Sequence, residues 1–375
     1  MIYLDNAATS AVKPFVVHLR HFYESIFTSV NAGRGAHRKS IRALNGINKT
    51  AEKISNLFNI DNPSSIAFLP NATYALNLAI SGVVNQGEHI ITTEMDHNSV
   101  LRPTAQKGNY TIVKADKNGY VHPKSIEEAI TPQTKLIVCT HISNVCGSIQ
   151  PVEKISQIAK KHNVLFLLDA SQSAGCVTVD AQKIGADMIA FSGHKGLLGP
   201  LGTGGLYVSD TVKLNPVISG GTGSLSESIV QPDFMPDMLQ SGTLNTPGII
   251  ALGTAIDCLL PIDETHRREK QMAKRFIDDI LNMKNTTVYG TKTGDRNGTV
   301  SFNIDGIDPA VVEEQLDREY NIIVRAGYHC SPLAHKALGS YPKGSVRVSF
   351  GYFNNDYDRM AITDAIYRIS KQIRV

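Results

Sequence analysis

Between Ser65 and Val208 a rhythm of short apolar runs, Ile66 to Leu69, His89 to Thr92, Leu136 to Cys139, Val164 to Leu168 and Met188 to Phe191, alternates with helix-like stretches. Strands that read as continuous apolar runs are covered on both faces, and parallel neighbours need crossover connections, normally helices. The rhythm therefore predicts an α/β fold around a mainly parallel sheet covered by helices. In open sheets of this kind ligands bind beyond the carboxyl ends of the strands. Asn71, His97, Asn144, Asp169 and His194 each come soon after one of the runs. Five strand ends are thus expected to face one pocket.

A chain of 375 residues exceeds the range in which a single core keeps growing, so two unequal domains are expected. Near Pro261 the pattern changes to a long charged helix from roughly Asp263 to Met283. Strands at Thr299 to Ile304 and Val346 to Ser349 follow, with helices between them, which reads as an α+β layer. We place a large domain over 15–258 and a smaller C-terminal domain over 259–375. The segment 1–14 is too short to fold alone. It carries the polar string Asp5-Asn6-Ala7-Ala8-Thr9 and is expected to pack with the small domain at the mouth of the site.

The formal net charge is only +3 and no run of Lys or Arg dominates a segment, which argues against nucleic acid and anionic membranes as partners and for a small substrate. The N-terminus lacks a signal-peptide layout and no window approaches the roughly 20 apolar residues of a membrane span, so a cytoplasmic location is expected. Five cysteines, 139, 146, 176, 258 and 330, show no metal-like clustering. A disulfide framework and a metal site are both disfavoured, and any special cysteine is a thiol.

One lysine stands out. In Phe191-Ser192-Gly193-His194-Lys195-Gly196, followed by Leu197 to Gly205 with five glycines and prolines, Lys195 sits at a strand end before a glycine-rich turn. Burial and neighbouring cations depress a lysine pKa and make the neutral amine available to an aldehyde. Ser192 and His194 beside it suit phosphate oxygens. Asp169, at another strand end, suits a protonated pyridine nitrogen, and the N–H groups of Ala72 and Thr73 open a helix after Pro70-Asn71, where an anion is favoured. This is the charge arrangement that pyridoxal chemistry needs.

With its order of phosphate-type helix start, His97, Asn144, Asp169 and Ser192-x-His194-Lys195, then Gly199-Pro200-x-Gly202, the chain resembles the class V aminotransferase-like branch of the fold-type I pyridoxal-phosphate enzymes. The likeness runs from Tyr3 to the C-terminal helix. It implies a seven-stranded-type sheet, pyridoxal 5′-phosphate as cofactor, Lys195 as the Schiff-base lysine and Asp169 as partner of the ring nitrogen. It further implies His97 stacked on the ring, Gln172 on the ring hydroxyl, and Thr73, Ser192 and His194 on the phosphate. Thr243 of Ser241-Gly242-Thr243 would reach that phosphate from the other subunit of a homodimer.

Val324-Arg325-Ala326-Gly327-Tyr328-His329-Cys330-Ser331-Pro332 is similar to the Arg-x-Gly-x-His-Cys motif of one cysteine desulfurase group, related to selenocysteine lyases. By this likeness Cys330 takes sulfur from L-cysteine as a persulfide, leaves L-alanine, and hands the sulfur to an acceptor, a small protein by expectation. Iron–sulfur cluster assembly, tRNA thiolation and selenium delivery are all open as destinations. A thiol attacks only as thiolate, and His329 and Arg325 beside it are expected to favour that form. Arg347, in Ser345 to Phe350, is assigned the substrate carboxylate, with Arg325, Ala7 and Asn144 beside it; Asn144 serves that carboxylate or the ring hydroxyl. His97 is the expected proton shuttle. The rival readings are a lyase acting on L-selenocysteine, an aminotransferase or epimerase that makes no use of Cys330, and a silent cofactor-binding scaffold.

Overall fold

In the computed structural model, which describes residues 1–32 and 35–372, the chain opens with a two-residue strand, β1 (Ile2–Tyr3). A seven-stranded sheet follows, built from β2 (Ile66–Leu69), β3 (His89–Thr93), β4 (Tyr110–Val113), β5 (Thr134–Thr140), β6 (Leu165–Asp169), β7 (Met188–Ser192) and β8 (Gly204–Val208). Its order is β2-β8-β7-β6-β5-β3-β4. Every pairing is parallel except those of β8, which runs against both β7 and β2. The expected mainly parallel α/β sheet is present, and the strands that precede Asn71, His97, Asn144, Asp169 and His194 all end on one edge of it.

Both faces are covered, as the unbroken apolar runs require. In β6, Phe166 and Leu168 join one apolar core and Leu167 the other; in β7, Ile189 and Phe191 face one way and Met188 and Ala190 the other. The helices Arg38–Phe58 and Val152–Lys161 close the first core through Ile54, Phe58 and Ile155, and Phe58 meets Phe191 edge to face at 5.4 Å. Helix Ala72–Val83 closes the second with Leu76 and Ile80. Strand β8 has no distinct apolar run because its first two residues are glycines. A Cβ on Gly204 would lie 2.8 Å from the Asn71 Cα, and one on Gly205 2.5 Å from the Phe191 ring.

The rest of the chain forms β9 (Thr286–Tyr289), β10 (Thr299–Ile304), β11 (Ile322–Ile323), β12 (Arg325–Gly327) and β13 (Ser345–Ser349). Four of these make an antiparallel sheet in the order β12-β13-β10-β9. Helices Ile262–Leu281 and Asp356–Ser370 pack on it around Phe276, Phe302, Phe350 and Ile366, a core separate from the first two. Leu4 is buried in that core, β1 pairs in parallel with β11, and the Leu4 carbonyl accepts from Ser349 N at 2.7 Å. The N-terminal segment is thereby stitched to the C-terminal layer. Among the described residues no single helix is long and apolar enough to cross a membrane.

Candidate active site

After β7 the chain turns through Gly193, His194 and Lys195, and the N-terminal segment holds the outside of this turn. Ser10 N and Thr9 Oγ1 donate to the His194 carbonyl at 3.0 and 3.1 Å, and Ser10 Oγ donates to the Lys195 carbonyl at 2.9 Å. With its backbone fixed, Lys195 projects from the sheet edge into a setting that lowers its pKa. Burial is the main cause; Asp169 opposes it, and Arg347 and Arg325 reinforce it. The neutral amine expected from the sequence is therefore favoured.

Asp169 closes β6, where its Oδ1 accepts from Ser171 N at 2.9 Å and from the Ser171 hydroxyl. Three residues on, buried Gln172 donates from Nε2 to the Ala7 carbonyl at 2.9 Å. Ala7, Gln172 and Lys195 line one cavity.

Across the pocket His97 caps helix Asn98–Lys107. Its Nδ1 accepts from Ser99 N at 3.1 Å and lies 2.9 Å from Ser99 Oγ, which in turn is 2.8 Å from Thr73 Oγ1 at the start of helix Ala72–Val83. An Nδ1 that accepts is unprotonated, in keeping with a His97 pKa lowered to about 4 by burial, then by Lys195. The Ala72 N–H, expected on an anion, donates instead to Ser192 Oγ at 3.1 Å. His194 adds a buried Nδ1 with no hydrogen-bond partner. Thr73 and Ser192 thus gather polar groups at a helix start, which suits an anion, and His194 follows Ser192 by two residues. Thr243 is exposed and takes no part in the hydrogen bonds around Lys195.

Arg347 lies in the middle of β13 at 2% exposure, opposite Arg325 in β12. Its Nη2 pairs with Asp5 Oδ1 at 2.5 Å, Nη1 donates to the Asn144 carbonyl at 3.0 Å, and Nε is buried without a partner. Asp5 is the partner that inspection of the sequence missed, although it opens the polar string placed at the mouth of the site. Removing one member of a buried pair strands the other charge. Asp5→Ala is therefore expected to destabilise the protein by about 3–5 kcal/mol, and a calorimetric melt checks this. An amino-acid carboxylate supplied in solution should recover more stability in Asp5→Ala than in the wild type, because it can replace the lost anion.

Cys330 is exposed, in a loop between β12 and helix Pro332–Leu338. His329 and Cys330 both have left-handed backbone, φ 51° and 58°, which costs on the order of 1–3 kcal/mol each and persists only where the surroundings enforce it. The Cys330 carbonyl accepts from Asn98 N at 2.8 Å, next to His97. The Asn144 side chain, expected on a carboxylate or a ring hydroxyl, is engaged by this loop: Nδ2 donates to the His329 carbonyl at 2.7 Å and Oδ1 accepts from Ser331 Oγ at 2.8 Å. His329 departs from its expected role beside the thiolate. It is buried beneath the loop with its pKa pushed well below the ordinary value, first by burial and then by Arg347, and so it is neutral.

The buried imidazoles set an acid limit. His97, His141, His194 and His335 are lowered to about 4 and His329 is lowered well below its ordinary value, with burial the main cause in each. Below pH 6.5 the unfolded chain binds protons at these positions that the folded chain refuses, so their contribution is full above 6.5 and is lost as the pH falls toward 4. Asp96 and Glu269 act oppositely: buried carboxyls raised to about 6 and about 8, their contribution is lost as pH rises through those values. Five imidazoles outweigh two carboxyls. The melting temperature of cofactor-free protein is expected to fall between pH 6.5 and 4; a flat profile in scanning calorimetry would contradict this.

Comparison with known proteins fits this geometry. The family described as aminotransferase class-V matches residues 2–359. A probable cysteine desulfurase of Methanothermobacter thermautotrophicus is 34% identical, over 98% of this chain and 94% of the relative. The cysteine desulfurase IscS of Pseudomonas putida is 30% identical, over 98% of this chain and 93% of the relative. Among solved structures, an apo cysteine desulfurase of Thermococcus onnurineus NA1 superposes with a TM-score of 0.92 at 30% identity, covering 99% of this chain and 95% of that one.

Proposed function

Because this chain belongs to the class-V aminotransferase family, we propose that it is a cysteine desulfurase, which converts L-cysteine to L-alanine and takes the sulfur onto Cys330 as a persulfide for delivery to an acceptor. The observation that carries this reading is the exposed Cys330 thiol, whose carbonyl is tied to the helix that His97 caps. An aminotransferase or an epimerase has no use for a thiol held there.

The pocket suits pyridoxal 5′-phosphate. The unpartnered Nδ1 of His194 and the hydroxyls of Thr73 and Ser192 fit a phosphate, Asp169 fits the ring nitrogen, Gln172 the ring hydroxyl, His97 the ring face, and Lys195, its pKa lowered by burial, the aldehyde. When bound, the cofactor withdraws electrons from the substrate Cα and so acidifies its proton. Lys195 takes that proton. Arg347 binds the substrate carboxylate through its unpartnered Nε and the N–H groups that Asp5 and Asn144 leave over, with Arg325 and Ala7 beside it. The Cys330 thiolate attacks the substrate sulfur: an S–S bond forms, the C–S bond breaks, and its electron pair remains with the carbon fragment, which is protonated to alanine. His97, neutral at working pH, carries protons between these steps.

The same proposal includes a homodimer in which Thr243 of one subunit completes the phosphate cradle of the other. Helix Phe15–Phe27 supports it: Phe15, Leu19, Phe22 and Ile26 leave an exposed apolar face larger than single scattered side chains explain. The division at 14 and 258 is supported by the separate apolar core of the C-terminal layer.

A single-turnover reaction of cofactor-loaded protein tests the function. L-cysteine is expected to give one alanine per site and a Cys330 heavier by one sulfur atom in the mass spectrum. Alanine from L-selenocysteine alone would make the protein a lyase, and alanine from neither would refute both.

A further inference from the structure

Three consecutive residues of the cysteine loop are held from one side by a single side chain and its neighbours. Asn144 donates to the His329 carbonyl at 2.7 Å and accepts from the Ser331 hydroxyl at 2.8 Å, so its amide bridges the residues on either side of Cys330. Between these contacts the Cys330 carbonyl is taken by Asn98 N at 2.8 Å, and Ser331 N donates to the Tyr328 carbonyl at 2.8 Å. Ser331 and Asn144 are both buried, whereas Cys330 is exposed. The loop thus shows Cys330 to solvent, as it does Tyr328, while the residues on either side of the cysteine are buried and bolted down. Two adjacent residues of this stretch, His329 and Cys330, are left-handed, a conformation that relaxes unless it is enforced. Asn144 is itself anchored, because its carbonyl accepts from Arg347 Nη1 at 3.0 Å.

We propose that the Asn144 amide and the Ser331 hydroxyl form a clasp that fixes the Cys330 sulfur in line with a substrate seated on Arg347, which makes Ser331 a positioning residue for sulfur transfer. This rests on the desulfurase reading for the step it serves, and on geometry alone for the clasp. The clasp sets the reach and direction of the thiol and has no part in the proton transfer at Cα, since Lys195 performs that from the turn after β7. The two steps are therefore separable by experiment.

Holoenzyme carrying Ser331→Ala is to be compared with wild type in three measurements. Amide hydrogen exchange at Ser331 and Asn98 is expected to quicken by about tenfold, the scale of one buried hydrogen bond, because both N–H groups bond to the loop. Cys330 persulfide formation from L-cysteine is expected to slow by a similar factor, about tenfold. Exchange of the L-alanine Cα proton with solvent, which needs Lys195 but no thiol, is expected to stay at the wild-type rate. The isosteric Asn144→Asp keeps the acceptor for Ser331 and loses the donor to His329; it should loosen the same amides, and the double variant should be less than additive. Loop amides within about twofold of wild type in both single variants would overturn the clasp, since that change is below the cost of a lost hydrogen bond. Equal loss of alanine proton exchange and of persulfide formation would also overturn it, by showing that Ser331 acts on the Lys195 chemistry. Should wild type form no persulfide at all, the desulfurase reading falls, and the exchange data still decide the clasp.

Discussion

Lys195→Ala is expected to end turnover of L-cysteine and to leave protein that no longer holds pyridoxal 5′-phosphate through dialysis. Two functions sit on the one amine. On the proposed mechanism it anchors the cofactor covalently, and it takes the Cα proton, a role whose loss alone costs about 10²–10⁴-fold in rate. Burial lowers its pKa and the Ser10 and Thr9 hydrogen bonds fix its backbone, so water at neutral pH offers no equivalent base in that position. Absorbance of the dialysed protein and alanine release are the readouts. Retained cofactor together with more than a few per cent of wild-type turnover would remove Lys195 from the mechanism.

Cys330→Ala should divide the reaction in two. Alanine formation from L-cysteine is expected to drop to background, because the other thiols are buried or held protonated: Cys139 and Cys146 are buried, burial raises the Cys139 thiol and the Cys176 thiol of the Lys195 cavity well above the ordinary range, and it raises Cys258 as well. Exchange of the L-alanine Cα proton should continue, since Lys195, Asp169 and Arg347 are untouched. The residue is exposed, so stability should change by no more than about 0.5 kcal/mol. Unchanged alanine formation in this variant would favour an enzyme that makes no use of the thiol.

The sheet could be read from the sequence wherever strands are covered on both sides. Runs such as Leu165 to Leu168 announce themselves because every residue is apolar. Strand β4 escaped notice since Tyr110 to Ile112 lie at a half-exposed edge, and β8 because Gly204 and Gly205 are chosen for close approach rather than for hydrophobicity. The candidate site was legible to the same degree. Lys195, Asp169, His97 and Cys330 carry their chemistry in the residue type and stand at strand ends or in a loop with a motif. Partnerships were not legible. Nothing local joins Asp5 to Arg347, 342 positions away, or Ser331 to Asn144, 187 positions away, and the direction of the His329 side chain is set by packing against His335 and Ser345.

The stitching of the N-terminal segment also orders the birth of the molecule. A ribosome emits Ile2, Asp5 and Ser10 first, yet Ile2 waits for Ile322, and Asp5 for Arg347, before either has a partner. The large sheet can assemble as soon as Val208 has emerged, with the Lys195 turn already made but its outer side unbraced. Only when Ser349 leaves the exit tunnel do β11 and β13 draw the first ten residues across that turn. Completion of the pocket therefore waits for β13, and a nascent chain stalled before Arg347 would carry the lysine without the apparatus that restrains its reactivity.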